Sequence, residues 1–424
     1  MKILFVSFIA MVGDLAWQVR KEGHEAKYYI RDRLQKDICD GFVEKCDDWK
    51  VHKDWADLIV FDDVGFGEEA ERLRKAGKLV VGGSVYTDKL ELDREFGQSE
   101  LKAAGVSTIP RWNFTDFDEA VSFIKKNPDR YVIKPSGLAQ NEKELLFVGQ
   151  EEDGKDIIEM LERYKKNWGK KIKVFQLQKH IPGVEVAVGA FFNGEDFIYP
   201  INVNFEHKKL FPGELGPSTG EMGTTMFFTS QDSIFDATLL KMKGRLAAAG
   251  YVGYIDINCI ANSHGIYPLE FTSRFGYPHI SIAMEGVLSE WGTLLYGIAR
   301  KEKPEFRTKR AFEIGVVIAV PPFPFADPVA FRRFSEDASI IFKKPGLEGI
   351  HLGDVKLVDD DWRLAGDSGY ALVVTANGTT MDEARKSVYS RVKNIIIPNM
   401  FYRTDIGLRW VDDVDKLLTW GYLH

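Results

Sequence analysis

Cysteine is scarce in this 424-residue chain: Cys39, Cys46 and Cys259 are the only three. Their spacing fits neither a zinc cage nor a disulfide framework, so a cysteine-stapled scaffold is excluded and a reducing, cytoplasmic setting is expected. Long hydrophobic runs are also missing. None approaches the ~20 residues that a bilayer-spanning helix needs, which excludes a helical membrane protein. The opening MKILFVSFIAMVGD has one lysine, a short apolar run and no clear small-x-small cleavage site before Asp14. It reads as a first buried strand, Ile3–Phe8, entering a helix, and not as a signal peptide. Positive charge is in deficit: 56 Lys and Arg face 63 Asp and Glu, for a net charge of −7. That argues against a broad nucleic-acid or anionic-membrane surface, while local basic sites remain open. Internal repeats and low-complexity segments are absent.

What remains is the composition of a globular protein, 45% hydrophobic and 28% charged, with length for two or three domains. Residues 1–105 alternate strands and helices. Ile3–Phe8, LIVFDD (Leu58–Asp63) and KLVVGG read as strands, with GDLAWQVRKEG and GEEAERLRKAG as helices. Such alternation predicts a parallel sheet whose ligands sit at the C-terminal strand ends, here Ser7–Gly13 and Asp62–Gly67. Residues 106–308 alternate strands and helices with longer loops. Residues 309–424, with IGVVIAV, GYALVVTANG and the helix TMDEARKSVYSRVKNI, read as a small α+β unit.

Three stretches carry candidate chemistry. GYIDINCIANSHGIYPLEFTSRFG (Gly253–Gly276) reads as a β-hairpin with its turn near Asn262–Gly265. Strands put alternate residues on one face, so Asp256 and Asn258 share a face, as do Glu270, Thr272 and Arg274. Pairing the strands would converge two carboxylates and an arginine, and an oxygen-only set suits Mg²⁺. The same alternation also describes the polar side of a half-exposed sheet. GELGPSTGEMGTTMFF (Gly213–Phe228) holds four glycines and a proline just after the cationic FEHKKL. Glycines let backbone N–H groups approach and cradle an anion, or they simply make a flexible connector. Lys134, on the strand RYVIKP, and Glu185, after Pro182–Gly183, are weaker isolated signals for phosphate and sugar contacts.

Together these stretches resemble the ATP-grasp superfamily and, within it, phosphoribosylamine–glycine ligases. FEHKKL…GPSTGEMG is similar to the family's DHKR…GPNTGGMG, PLEFTSRFGYP to IEFNCRFGDP, and MFYRTDIGLR (Met400–Arg409) to FYRKDIGYR. The resemblance runs over nearly the whole chain in order. It implies an α/β ATP-grasp architecture: a Rossmann-like pre-ATP-grasp domain over 1–105, an ATP-grasp domain over 106–308, and a small α+β domain over 309–424. It implies ATP with Mg²⁺ or Mn²⁺, a small-molecule carboxylate and an amine as substrates, a role in purine biosynthesis, and a monomer or homodimer. By motif position it assigns Asp256, Glu270 and Thr272 to metal. Arg94, Lys134, Lys143, Gln178, Lys179, Ile181 and Glu185 fall to the nucleotide. Arg274, Lys208, His207, Gly220 and Gly223 fall to the phosphate being transferred. The implied reaction phosphorylates a carboxylate with ATP and lets an amine attack the acyl-phosphate, releasing ADP and phosphate.

The pattern breaks where the amine should bind. The family's GNGGREHA becomes SFIAMVGD, and GPExPL becomes DDVGFGEE. Both changes remove anion-friendly groups and add carboxylates. The nucleotide lid GLAAGKGV becomes GLAQNEKELL, with Lys143 keeping its phosphate contact after a one-residue insertion. Thr272 replaces a metal-binding asparagine, and Tyr277 an aspartate. The expected function is therefore a ligase joining glycine or another small amino acid to an amine other than phosphoribosylamine. The alternatives are a true phosphoribosylamine–glycine ligase and a nucleotide-binding regulatory protein without turnover.

Overall fold

The computed structural model describes residues 1–424 apart from 136–145, 170–172, 231 and 424. The lid stretch and Lys143 therefore lie outside the described residues. The first strand, β1 (Lys2–Ser7), is an apolar run with Ile3 to Val6 fully buried, as expected of a strand covered on both faces. It is followed by α1 (Gly13–Lys21), which buries Leu15, Ala16 and Val19 and ends in basic residues that suit a helix C-terminus. The strands β2 (Glu25–Ile30), β3 (Glu44–Lys45), β4 (Leu58–Phe61) and β5 (Val80–Val81) complete a sheet of order β3-β2-β1-β4-β5. All its pairings are parallel, as strand–helix alternation predicts. The chain leaves β1 for β2 on one side and returns to β4 on the other. That reversal opens a crevice beyond the C-terminal ends of β1 and β4, where Ser7 and Asp62 stand.

The helices α2 (Gly67–Lys75), α3 (Val85–Leu92) and α4 (Arg94–Ala103) follow. Ser84 and Thr87 form a capping box at the start of α3, and Asp93 caps α4 through the Phe96 amide. A four-stranded sheet comes next: β6 (Arg111–Phe114), β7 (Tyr131–Pro135), β8 (Phe147–Val148) and β9 (Phe175–Lys179), in the order β6-β9-β7-β8. Helices α5 (Phe117–Lys126) and α6 (Lys155–Trp168) supply Ala120, Ile124, Ile157 and Leu161 to a core shared with Ile133, Phe175 and Leu177 of its strands.

The largest sheet has eight strands. Its strands β10 (Val184–Asn193), β11 (Phe197–Glu206), β14 (Gly223–Thr229), β15 (Val252–Asn262), β16 (Gly265–Thr272) and β17 (Phe312–Ala319) are joined by Tyr370–Gly378 and Ile350–Leu352. The order is β16-β15-β10-β11-β14-β17 followed by those two, so the sheet runs unbroken across residue 308. Between β11 and β14 lies a small hairpin, β12 (Lys209–Phe211) and β13 (Leu215–Ser218). The glycine-rich stretch is thus strand and turn, not an open loop. Gly213 and Gly216 have φ of 71° and 81° and make the hairpin turn and its bulge. Gly223 has φ of 156°, and a Cβ there would lie 2.6 Å from the Gly315 carbonyl oxygen. Close packing on β17 demands that glycine.

Candidate functional site

The β15–β16 hairpin turns at Asn262–Gly265, and its register sets the first wall. Asp256 stands opposite Thr272, and Asn258 opposite Glu270. Opposite residues of an antiparallel pair share a face, so these four oxygen-bearing side chains are neighbours. Asp256 is 4% exposed. Burial, then the Glu206 charge, pushes its carboxyl well above the usual range, while Arg274 and a hydrogen bond with Thr272 pull the other way. Among the described residues no group of three or more His, Cys, Asp or Glu side chains forms a metal cage. Two carboxylates and a hydroxyl on one face still fit Mg²⁺, which commonly keeps its waters and bridges phosphates.

Lys208 is the hub of the second wall. Its Nζ donates to Glu185 Oε1 at 2.8 Å and lies 3.2 Å from Glu206 Oε2 and 3.6 Å from Glu270 Oε1. Burial opposes its charge, but those three carboxylates hold its pKa well above that of an ordinary lysine. Glu206 also accepts from Asn258 Nδ2 at 2.9 Å, which ties β11 to the hairpin face. The family resemblance implies that Lys208 lies beside the transferred phosphate. In the structure it is held among carboxylates, so a phosphate must share it with them. Glu206 was missed, although the alternation in FEHKKL puts it on the face of Lys208. Glu221 was missed too. It is 7% exposed, its Oε1 meets no partner among the described residues, and burial followed by the Glu206 charge holds its pKa well above the carboxylate range.

The other nucleotide candidates line up along β7, β9 and α4. Lys134 projects from β7, and burial, helped by Arg94, pushes its pKa down to about 8 against the pull of Glu270. Arg94 donates to the Pro135 carbonyl at 3.1 Å. Lys134 pairs across the sheet with Gln176, and Gln178 with Val132. Lys179 sits at the end of β9, where its amide donates to the Pro110 carbonyl and its ammonium pairs with Asp129. Ile181 follows in the turn before β10, and Glu185 is the second residue of β10. For Glu185, burial works against the carboxylate, yet Lys208 wins and its pKa falls below the usual range.

The glycine-rich hairpin is fastened from the C-terminal segment. Arg403, 1% exposed, donates to Asp405 at 2.8 Å, Glu214 at 2.7 Å and the Lys209 carbonyl at 2.9 Å. Asp405 in turn accepts from the Gly213 amide at 2.9 Å. The motif MFYRTDIGLR thus clamps the hairpin. The amides of Thr219 and Met222 donate to the Lys208 and His207 carbonyls, so part of the expected amide cradle is already engaged. Gly220 is the open point: a Cβ there meets nothing within 4 Å. His207 is buried with neither ring nitrogen partnered among the described residues. Burial, then Arg409 and Arg403, pushes its pKa down to about 3, so its ring is neutral.

The crevice at the ends of β1 and β4 forms the third wall. Asp62 is fully buried, and its Oδ2 accepts from Ser7 Oγ at 2.7 Å and Tyr277 Oη at 3.1 Å. Asp63 Oδ2 accepts from the amides of Phe8 and Ile9 at 2.8 and 3.2 Å. Arg274 pairs with Glu91 at 3.2 Å, and its charge acts on both Asp63 and Asp256. It therefore stands between the strand-end crevice and the oxygen-rich hairpin face.

Residues 92–280 match the family model described as the ATP-grasp (A) domain of phosphoribosylglycinamide synthetase. In structure the chain is similar to a phosphoribosylamine–glycine ligase from Thermotoga maritima, with TM-score 0.71 and 22% identity, covering 96% of this chain and all of that one. It is also similar to the MgADP-bound biotin carboxylase domain of a Hydrogenobacter thermophilus 2-oxoglutarate carboxylase, with TM-score 0.65 and 14% identity over 98% of this chain and 94% of that one. The chain has the ATP-grasp fold, and its residues 92–280 match an ATP-grasp domain. In sequence it is 26% identical over 352 residues to a phosphoribosylamine–glycine ligase of Listeria monocytogenes serotype 4b, spanning 80% of each chain. It is 27% identical over 360 residues to one from Streptococcus pneumoniae R6, spanning 82% of each. Its sequence relatives are more narrowly carbon–nitrogen ligases, and the chain resembles phosphoribosylamine–glycine ligase.

Proposed function

We propose that this protein condenses a small amino acid with an amine at the expense of ATP, through an acyl-phosphate. The observation that carries the reading is the gathering of charge along the hairpin face of Asp256, Thr272 and Glu270: Lys208 pairs with Glu270, the Lys134 and Arg94 charges act on one another and on Glu270, and the Arg274 charge acts on Asp256. Lys134 and Arg94 hold the triphosphate. Gln178, Lys179 and Ile181 line the base, and Glu185 the ribose. Asp256, Glu270 and Thr272 would hold Mg²⁺, which when bound offsets phosphate charge. The amino-acid carboxylate attacks the terminal phosphorus with ADP leaving. The amine then attacks the acyl carbon, forming the C–N bond as phosphate leaves with its electron pair, and the nitrogen releases a proton to water. Arg274, Lys208 and the open approach at Gly220 stabilise the negative charge that builds on the transferred group. His207, buried and neutral, feels the Arg403 and Asp405 charges of the clamp and carries no charge to the transferred group.

Glycine is the amino acid that the relatives' names indicate. For the amine, those names favour phosphoribosylamine, and hence de novo purine synthesis, over a changed acceptor. A specific observation supports the second reading: the strand-end amides of Phe8 and Ile9 already carry the Asp63 carboxylate. The assay supplies glycine, MgATP and freshly generated phosphoribosylamine and follows glycinamide ribonucleotide. Its efficient formation establishes the purine-pathway reaction. ADP release that depends on another amine establishes the changed acceptor. ADP release under no mixture would leave only nucleotide binding.

A further inference from the structure

We propose that the crevice beyond β1 and β4 holds the acceptor as a cationic, phosphate-free amine, gripped by the carboxyl groups of Asp62 and Asp63. The proposal rests on the ligase reading for the word acceptor and on the crevice's own geometry for the ligand's charge.

In an open parallel sheet the reversal of strand order is where ligands bind. Two consecutive amides at a strand end are a natural seat for an anion. Here that seat is filled by the protein itself: one Asp63 oxygen takes both the Phe8 and Ile9 amides, at 2.8 and 3.2 Å. A phosphate would have to displace a carboxylate and then remain beside it. Asp62 makes the case from the other side. Its Oδ2 is fixed by Ser7 and Tyr277, but its Oδ1, also buried, has no donor among the described residues. A buried acceptor left without a donor is costly, and an ammonium N–H supplies one. Burial and the mutual repulsion of the two carboxyls push the Asp62 pKa well up, and burial raises that of Asp63 against its two amide bonds. An entering cation relieves this strain on charge, whereas an entering anion worsens it. Two guanidiniums border the crevice among the described residues: Arg274, whose charge offsets part of that on Asp63 but which is already paired with Glu91, and Arg31 toward the mouth. Arg31 is exposed and lies 4.9 Å from the centre of the Phe8 ring, which itself stacks on Phe66 at 3.9 Å.

The test is isothermal titration of the full chain with 1,4-diaminobutane, with ribose 5-phosphate and with inorganic phosphate. A like charge ~4 Å away is worth up to about three decades at an effective dielectric of ~20, so the diamine should bind at least about tenfold tighter than either phosphate. Asp62→Asn and Asp63→Asn keep oxygen acceptors for their neighbours and should each weaken the diamine about tenfold or more. Asp63→Ser frees the two amides and should raise phosphate affinity. Ribose 5-phosphate binding wild type as tightly as the diamine, or no diamine binding at all, overturns the proposal. So does unchanged diamine binding in both asparagine variants. The wild-type comparison decides alone if a variant fails to fold. Binding is read without turnover, so absence of ADP formation with diamine binding intact would count against the ligase reading instead.

Discussion

Replacing Lys208 by methionine tests the electrostatic centre of the site. The methionine keeps most of the side-chain volume and removes the charge. Lys208 Nζ lies 2.8, 3.2 and 3.6 Å from carboxylate oxygens of Glu185, Glu206 and Glu270. At an effective dielectric of ~20 each contact near 3 Å is worth about 5 kcal/mol of Coulomb energy before desolvation is subtracted. Losing one partner of a fully buried pair typically costs about 3–5 kcal/mol. Here the Lys208 and Glu185 side chains keep 28% and 31% of their exposure, and Glu270 keeps 55%. Solvent screening reduces the expected loss to about 2–3 kcal/mol at pH 7. The pH dependence follows from the directions of the shifts. Glu185 is depressed in the folded chain, so its share of stability is present above its unfolded value and fades as pH falls through the folded one. Lys208 is raised, so it stays charged until strong alkali, and in acid the same pairing energy is lost through protonation of its carboxylate partners. Urea unfolding without nucleotide should therefore show the variant less stable at pH 7, with the gap closing near pH 4 and below. Equal stability at pH 7, or a gap of the same size in acid, refutes the ion-pair account.

Other outcomes follow from the same geometry. Glu270→Gln and Asp256→Asn should each abolish ADP formation while circular dichroism and melting stay near wild type, because both carboxylates face the site and not the core. Gly220→Ala should leave the melting temperature unchanged and lower turnover, since its Cβ meets only open space in the protein. Gly223→Ala should instead lower the melting temperature, because its Cβ would stand 2.6 Å from a backbone oxygen. Arg403→Met should destabilise by about 3 kcal/mol, as for a broken buried ion pair, and loosen the hairpin, read as faster amide exchange at Gly213. His207 and His279, each held at about 3 by burial first of all, should make stability fall as pH drops below about 6.5, where the unfolded chain takes up protons that the folded rings refuse. Chemical denaturation of His207→Gln should show part of that slope removed.

The parallel sheet and the metal-face hairpin were legible because both rest on local period. Apolar runs such as Ile3–Val6 mark buried strands, and period-two alternation puts Asp256 and Asn258 on one side. The register then joins them to Thr272 and Glu270. Motifs such as GPSTGEMG and FYRTDIGLR gave the order of parts but not their work. Arg403 and Asp405 clamp the β12–β13 hairpin across nearly two hundred residues of sequence, which no local pattern records. The four glycines suggested an open cradle, whereas Gly213 and Gly216 serve a turn and bulge, and Gly223 a close strand contact. The carboxylates at Asp62 and Asp63 were visible as charges near a strand end. That Asp63 caps the Phe8 and Ile9 amides depends on a pairing of β1 with β4 some 55 residues apart. Glu206 and Glu221 were passed over because a carboxylate beside lysines, or inside a glycine-rich stretch, looks like an ordinary solvated charge until burial is known.

Hydroxylamine tests whether this site makes an acyl-phosphate, without knowledge of the natural amine. Wild-type protein is given MgATP, hydroxylamine and a panel of small amino acids headed by glycine, and hydroxamate is measured beside ADP. Hydroxamate should form from glycine or a close analogue in step with ADP, and neither product should form with Glu270→Gln. Wild-type protein that binds nucleotide yet forms neither ADP nor hydroxamate with any of these amino acids would contradict the acyl-phosphate step.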